Sequence, residues 1–242
     1  MARRSDDRPR HEQIAADIRA RIMAGELPSG SQLPSTAQLI SQYSVANATV
    51  QRALAALKEE GYLHSRVGKG VYVRDRQPLV MEVDAYVPPC PGGYAYQLLD
   101  VAEVQPPADV ALALGVADDE PAILRHRLLS YDGEPVEVSW SYYPVSIGRG
   151  TAISSRQKLV GGAPRALAEL GHSQRDFVDR LSVRMPTTHE LEILSLPAQV
   201  PVIRQFRVIR SVHGQPVEVA VLIKGGHLHE LQYHQQVRPE GG

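Results

Sequence analysis

Cysteine occurs once in the 242 residues, at Cys90. One thiol cannot build a disulfide framework or a cysteine-based zinc finger, so the chain is expected to work in a reducing compartment. Cys90 lies between prolines with no histidine or second cysteine beside it, which argues against a catalytic thiol. No apolar run reaches the roughly 18 residues that a spanning helix needs. The N-terminal stretch "MARRSDDRPR" lacks the apolar core of a secretory signal. A cytoplasmic protein with no membrane association is therefore expected. Also missing are a Ser-His-Asp signature, a Cys-His pair, a dinucleotide fingerprint and the full phosphate-loop pattern around Gly68-Lys69-Gly70. No catalytic residue, resident metal or cofactor is implied.

What remains is a composition of 43% hydrophobic and 22% charged residues, that of a folded chain. Its formal net charge of −1 hides an asymmetry. Residues 1–76 carry 12 Lys+Arg against 8 Asp+Glu, whereas residues 77–242 carry 14 against 19. A basic first part joined to an acidic second suggests a polyanion partner for the first alone.

The first part reads as three helices and a hairpin. Ile14, Ala15, Ile18 and Ile22 recur at helical spacing and stop at Gly25. Ser35 and Gln38 form a capping-box pattern that opens a short second helix. A third helix runs from Asn47 to about Glu60, where Gly61 ends it. After that the period changes to two, and "YLHSRVGKGVYVR" predicts two strands about a glycine turn. This order of elements is a winged helix-turn-helix.

On the third helix Val50, Ala53, Leu54 and Leu57 form the apolar stripe, while Ala48, Arg52 and Ala55 lie opposite, with Thr49 and Gln51 on the flanks. Small residues there permit close approach to a major groove. Asn47 and Gln51 are amides of the kind that pair bidentately with adenine. Thr49, Arg52 and Lys58 suit phosphate, which positions without specifying. Ser35 and Thr36 open the second helix beside this face, and Arg66, Lys69 and Gly70 mark the tip of the wing.

The string "LPSTAQLISQYSVANATVQRALAALKEEGYLHSRVGKGVYV" resembles the DNA-binding domain of the GntR family of bacterial transcription regulators, over about residues 10–74. Where that family usually carries Glu-Arg in the second helix this chain has Thr36-Ala37, and where the third helix usually opens Ser-Arg it has Ala46-Asn47. Both departures remove arginines, so guanine contacts do not carry over. Direct readout falls to Asn47 and Gln51, and adenine-containing half-sites are expected.

In the second part the chain repeats itself. "EPAILRHRLLSYDGEPVEVSWSYYP" and "VPVIRQFRVIRSVHGQPVEVAVLI" share a proline, an apolar strand with interior arginine, a glycine turn and Pro-Val-Glu-Val. Pro121 answers Pro201 and Gly133 answers Gly214, which gives the second hairpin one extra turn residue. A helix-like stretch precedes each, "PPADVALALGV" and "TTHELEILSL". The repeating unit of helix, strand, hairpin and strand predicts an antiparallel sheet with helices, in the α+β class. Alternation puts Glu137, Ser139, Ser141 and Tyr143 on one face, with Val138, Trp140 and Tyr142 on the other; Arg125 and Arg127 also point together. Arginine on a central strand needs a partner, so Arg125 or Arg127 is expected to meet Glu137 across the hairpin or to meet a bound anion.

With the N-terminal part, this pattern resembles the HutC subfamily of GntR regulators, whose UTRA domain shares the chorismate-lyase fold and binds small effectors. The resemblance spans about residues 94–224. It implies effector contacts from Arg125, Arg127, Glu137 and Glu218; Ser141, Tyr143 and Arg207 are further candidates. Two arginines favour a phosphate or carboxylate on the effector, while Trp140, Tyr142, Tyr143 and Phe206 favour an aromatic or amphipathic molecule. The expected organisation is a disordered arm (1–10), a winged helix-turn-helix (11–76), a linker (77–93) and a UTRA effector-binding and dimerisation domain (94–235). The expected function is that of an effector-controlled repressor, binding a palindromic double-stranded operator as a homodimer. Three alternatives stand beside it: a constitutive binder, a metal sensor using His227, His229 and His234 with His189 or His213, and a lyase-like enzyme.

Overall fold

The computed structural model describes residues 6–75, 79–82, 93–117, 119–197, 199–227 and 229–233. Cys90, His234, the first five residues of the arm and most of the expected linker lie outside them. The chain divides into two compact units, Met1–Pro78 and Leu79–Gly242.

The first unit contains α1 (Arg10–Met23), α2 (Thr36–Tyr43), α3 (Asn47–Glu59), β1 (Leu63–Arg66) and β2 (Gly70–Val73). Its first helix begins at Arg10, one residue inside the expected arm. The stripe on α3 is buried as its spacing requires: Val50, Ala53, Leu54 and Leu57 pack with Ile14 and Ile18 of α1, Leu39 of α2, and Leu63 and Val73 of the hairpin. Ser35 caps α2 reciprocally with Gln38, and Ser44 turns the chain left-handed (φ 52°) into α3. β1 and β2 pair antiparallel from Leu63↔Val73 to Arg66↔Gly70. Three helices and a wing thus close around one small core.

In the second unit, β4 (Tyr94–Val104), α4 (Ala108–Leu114), β5 (Ala122–Tyr131) and β6 (Glu134–Pro144) are followed by α5 (Val145–Gly148), a 3₁₀ turn (Ala152–Ser154) and α6 (Gly162–Glu169). Then come β7 (Gln174–Arg184), α7 (Thr188–Ile193), β8 (Val202–Ser211) and β9 (Pro216–Gly225). They build one antiparallel sheet in the order β4-β5-β6-β9-β8-β7. The repeat is therefore longer than its sequence shows. Each copy is strand, helix, strand, strand, and the two copies meet where β6 pairs with β9. The leading strands β4 and β7 were not part of the expected unit because they lie at the sheet edges, where one side of a strand is free of packing and alternation weakens.

Asp132 (φ 49°) and Gly133 (φ 86°) make the two-residue turn of the first hairpin, both left-handed as that turn demands. The second hairpin carries three residues between Ser211 and Gln215, whose backbones bond at 2.8 Å. Helices cover both faces. On one, α4 packs Val110 and Leu114 against Tyr142, Phe206 and Val219, and Leu194, just after α7, joins Val138, Val202 and Ile223. On the other, Ile153 and α6 pack against Val101, Ile123, Tyr143 and Ile209.

The expected linker is not all linker. Residues 79–82 form β3 (Leu79–Glu82), which pairs in parallel with β10 (His229–Gln232) beyond the second repeat. Apart from Pro78, the prolines and glycines that dominate the composition of this stretch come after β3, which is why the strand was hidden.

Candidate DNA-reading face and effector site

On α3 the side chains of Asn47, Ala48, Gln51 and Arg52 are exposed and Thr49 is half-buried, so the face opposite the core is open along its first two turns. The Gln51 amide donates a long bond (3.4 Å) to the Thr36 hydroxyl, which joins the start of α2 to α3. Ser35 accepts the Gln38 amide with its hydroxyl oxygen and keeps its own proton to donate. At the wing, the Arg66 guanidinium lies 4.5 Å over the Tyr72 ring and its Nε donates to His64 Nε2 at 3.3 Å. The Lys69 carbonyl accepts from Gln32 (2.7 Å) and from the Tyr72 hydroxyl (3.2 Å). Gly70 has a structural duty. At φ 107°, a Cβ there would come within 2.9 Å of the Gln32 amide. Gln32, His64 and Tyr72, which shape the wing, carry no local signal in the sequence.

The effector candidates gather on one face of the sheet. Register places Arg125 opposite Ser141, Arg127 opposite Ser139 and Glu137 opposite Leu129. Arg125 is buried and spends both terminal nitrogens on backbone carbonyls: Ile153 (2.9 Å), Ser155 (2.7 Å) and Gln157 (2.8 Å). Burial lowers its pKa, yet a guanidinium stays charged. It clamps the 153–157 loop onto the sheet. Arg127 is half-buried, donates to the Ser141 hydroxyl, and lies 5.4 Å over the Tyr96 ring.

Arg125, with both terminal nitrogens spent on the loop, does not meet Glu137 across the hairpin. Glu137 faces Lys224 on β9, and the two form a buried ion pair at 2.7 Å. The reason is register: Arg127 sits two residues away from the position opposite Glu137, while Lys224 is directly across. Lys224 also donates to Gln205 (2.9 Å), Gln205 to Asp179 (2.9 Å), and Asp179 takes a bidentate bond from Arg207 (2.8 Å for both). This chain of polar groups crosses β6, β9, β8 and β7. Arg207 is thus held by Asp179 and by the Phe177 ring, 3.9 Å away. Tyr143 is fully buried on the same face.

Glu218 differs from these. It is 2% exposed, and its Oε2 has no hydrogen-bond partner among the described residues. Tyr96 is near it. Tyr96 is 37% exposed, yet burial pushes its phenol up to about 12; Arg127 opposes the shift and the charges of Glu137 and Glu218 add to it. Tyr96, Asp179, Gln205 and Lys224 were not foreseen. Lys224 alone left a trace, as a lone cation ending the apolar run "VAVLIK".

The aromatic candidates divide. Trp140, Tyr142 and Phe206 belong to the opposite face: Tyr142 and Phe206 pack under α4, and Trp140 stacks on His126 at 4.8 Å with 12° between the planes. Alternation along β6 and β8 requires this, and it removes three of the four rings from the Arg127 and Glu218 face. Burial, then the neighbouring His189 and Arg127, hold His126 below the usual histidine range. In the unfolded chain His126 gains its proton near pH 6.5, whereas in the fold it does so only at lower pH. The stability it contributes is therefore present above about pH 6.5 and lost as pH falls through the lower folded value. Urea unfolding followed by emission of Trp140, the chain's single tryptophan, should show a midpoint that falls as the pH is lowered below about 6.5. His126→Phe should flatten that fall.

Among the described residues no group of three His, Cys, Asp or Glu is placed to hold a metal ion. His229 is buried with Nδ1 3.1 Å from the Gly225 carbonyl. No described helix is long and apolar enough to cross a membrane.

Residues 10–73 match the model of the bacterial regulatory proteins, gntR family, and residues 92–227 match the UTRA domain. The chain belongs to the GntR family. This GntR regulator is 27% identical, over 90% of its length and 89% of the other's, to an HTH-type transcriptional regulator of Streptomyces coelicolor. It is 39% identical over 70 residues, 29% of each chain, to the mannosyl-D-glycerate transport/metabolism system repressor of Escherichia coli. Among solved structures, PhnF from Mycobacterium smegmatis shares the fold across 93% of this chain and 100% of that one (TM-score 0.59, 18% identity). The C-terminal domain of the histidine utilization repressor from Pseudomonas syringae does so across 60% of this chain and 99% of its own (TM-score 0.52, 17% identity). The protein is accordingly a transcriptional regulator, with a DNA-binding helix-turn-helix followed by a UTRA effector-binding domain.

Proposed function

We propose that this GntR regulator is a cytoplasmic homodimeric repressor of a palindromic operator, its operator affinity modulated by a small effector that carries both an anionic group and a hydrogen-bond donor. The observation that carries the effector half is Glu218. A buried carboxylate oxygen without a donor costs on the order of 1–3 kcal/mol or more, and a hydroxyl or ammonium group of a ligand would remove that cost. Arg127, half-exposed on the same face, supplies the cation for a phosphate or carboxylate. Arg125 keeps the loop over the site in place, and Glu137 and Arg207 hold the floor through Lys224 and Asp179. Repression is supported by one relative, similar over the DNA-binding part, that is itself named a repressor. For the DNA half, Asn47 and Gln51 read bases, Arg52 and Thr49 hold phosphates, and Arg66 reaches from the wing.

A thermal-shift screen with sugar phosphates, hydroxy acids and amino acids tests the effector half. A true effector at 100 times its dissociation constant raises stability by about 2.7 kcal/mol and changes operator affinity on the order of 5- to 150-fold. Glu218→Gln should lose the response while operator binding persists. An undiminished response in that variant would remove Glu218 from the site.

A further inference from the structure

The chain between the two units is tied down at both ends. In the first unit the Arg74 amide donates to the Tyr62 carbonyl (2.8 Å), and the Ser29 hydroxyl donates to the Asp75 carboxylate (2.7 Å). In the second, β3 pairs in parallel with β10, from His229↔Leu79 to Gln232↔Glu82. Only residues 76–78 lie between these attachments, and at 3.3–3.6 Å per residue they reach about 14 Å at full stretch. β10 is fixed to the sheet. It follows β9 through Gly225 and Gly226, where the Gly226 amide donates to the Pro201 carbonyl (2.8 Å) and a Cβ on Gly226 would come within 2.8 Å of the same oxygen. The buried His229 ring lies with Nδ1 3.1 Å from the Gly225 carbonyl. The pairing with β3 is the weaker joint: it is a two-stranded parallel ladder apart from the main sheet, and such a ladder is marginal by itself. Opening it frees the chain as far as Tyr94, where β4 starts, so the tether grows from residues 76–78 to residues 76–93, or about 65 Å at full stretch.

We propose that β10 is a clasp that decides which operators the protein accepts: with β3 docked, the short tether admits one spacing between half-sites, and with β3 free it admits many. The inference rests on the homodimer and the palindromic operator proposed above. Moving one half-site by two base pairs shifts it by about 7 Å and turns it by about 70° around the duplex. A tether of about 14 Å at full stretch absorbs little of such a change, whereas the longer one absorbs it whole. The longer tether also weakens binding at the preferred spacing. Effective concentration falls as roughly the −3/2 power of length, so a sixfold longer tether lowers affinity there by about 15-fold.

The test uses a duplex selected by the full chain from a random pool, rebuilt with its half-sites moved apart by one to five base pairs and, separately, with one half-site alone. Wild-type protein should show one preferred spacing. In the Leu231→Pro, Gln232→Pro variant, successive prolines remove the amide donors on both sides of β10. That variant should bind about 15-fold more weakly at the preferred spacing and with a flat spacing profile, while its affinity for one half-site and its Trp140-monitored unfolding midpoint stay as in wild type. A staple should reverse this. Val80 and Glu230 are directly opposed and both exposed, and neighbouring strands lie within disulfide reach. Adding Val80→Cys and Glu230→Cys to the proline variant in a Cys90→Ser background should restore the sharp optimum when oxidised and lose it when reduced. A wild-type protein that binds two half-sites no better than one overturns the dimeric reading and the clasp with it. A proline variant that keeps the sharp optimum, a cysteine pair that does not oxidise, or a staple that leaves the profile flat overturns the clasp and leaves the dimer on its palindrome standing.

Discussion

Lys224→Met is expected to destabilise the second unit by about 3–5 kcal/mol, the usual loss when one member of a buried ion pair is deleted. Lys224 is 1% exposed, at the end of β9, with its ammonium between the Glu137 carboxylate and the Gln205 amide oxygen. Methionine fills most of the volume, so the loss would come from electrostatics rather than from a cavity. Glu137 would be left charged in a site without water, or would have to take up a proton. The double variant Glu137→Leu, Lys224→Met removes both charges and should recover most of the stability. Urea unfolding followed through Trp140 reports on this unit alone, because the chain's one tryptophan lies there. A single-variant loss under about 1 kcal/mol, the range of exposed pairs, would mean that the pair is wet and that the polar floor is not sealed on this side.

That ion pair also shows where sequence reading stops. Features written in neighbouring residues were legible: the α3 stripe, the Ser35–Gln38 box, the Asp132-Gly133 turn, and the alternation that separates Ser141 and Tyr143 from Trp140 and Tyr142. Each depends on spacing along one element. Glu137 and Lys224 meet only because β6 pairs with β9, at the seam between the two repeats, and nothing near either residue encodes that pairing. The Asp179–Arg207 contact needs β7, whose irregular burial hid it. Arg125 was legible as a buried arginine, but its acceptors are backbone carbonyls of a loop, which no side-chain pattern announces. β3 was masked by the prolines that follow it. Alternation thus assigned the side chains of β5 and β6 to the faces they take in the sheet while leaving their partners undetermined.

The face of α3 carries the other large effect. Replacing Asn47 and Gln51 together by alanine should cost about 2–6 kcal/mol of operator binding, from about 30-fold to about 10⁴-fold, if each amide reads an adenine bidentately at roughly 1–3 kcal/mol. Arg52→Ala should act differently: it should weaken binding to all sequences alike and lower the salt dependence of log affinity by about one. The contrast separates readout from phosphate contact within one helix. All three side chains are exposed, so the substitutions should leave folding within about 0.5 kcal/mol and lost binding cannot be charged to unfolding. Gln51 also bonds Thr36, so Thr36→Val, which keeps the shape and removes the acceptor, should loosen Gln51 and reduce discrimination at its base more than overall affinity. Selection of binding sites from random duplexes measures these outcomes together. Adenine at the positions facing Asn47 and Gln51, relaxed in the alanine variants, is the expected pattern; guanine there, unchanged by either substitution, would show that the bases are read from elsewhere on the unit and that the exposed α3 face serves only to approach the groove.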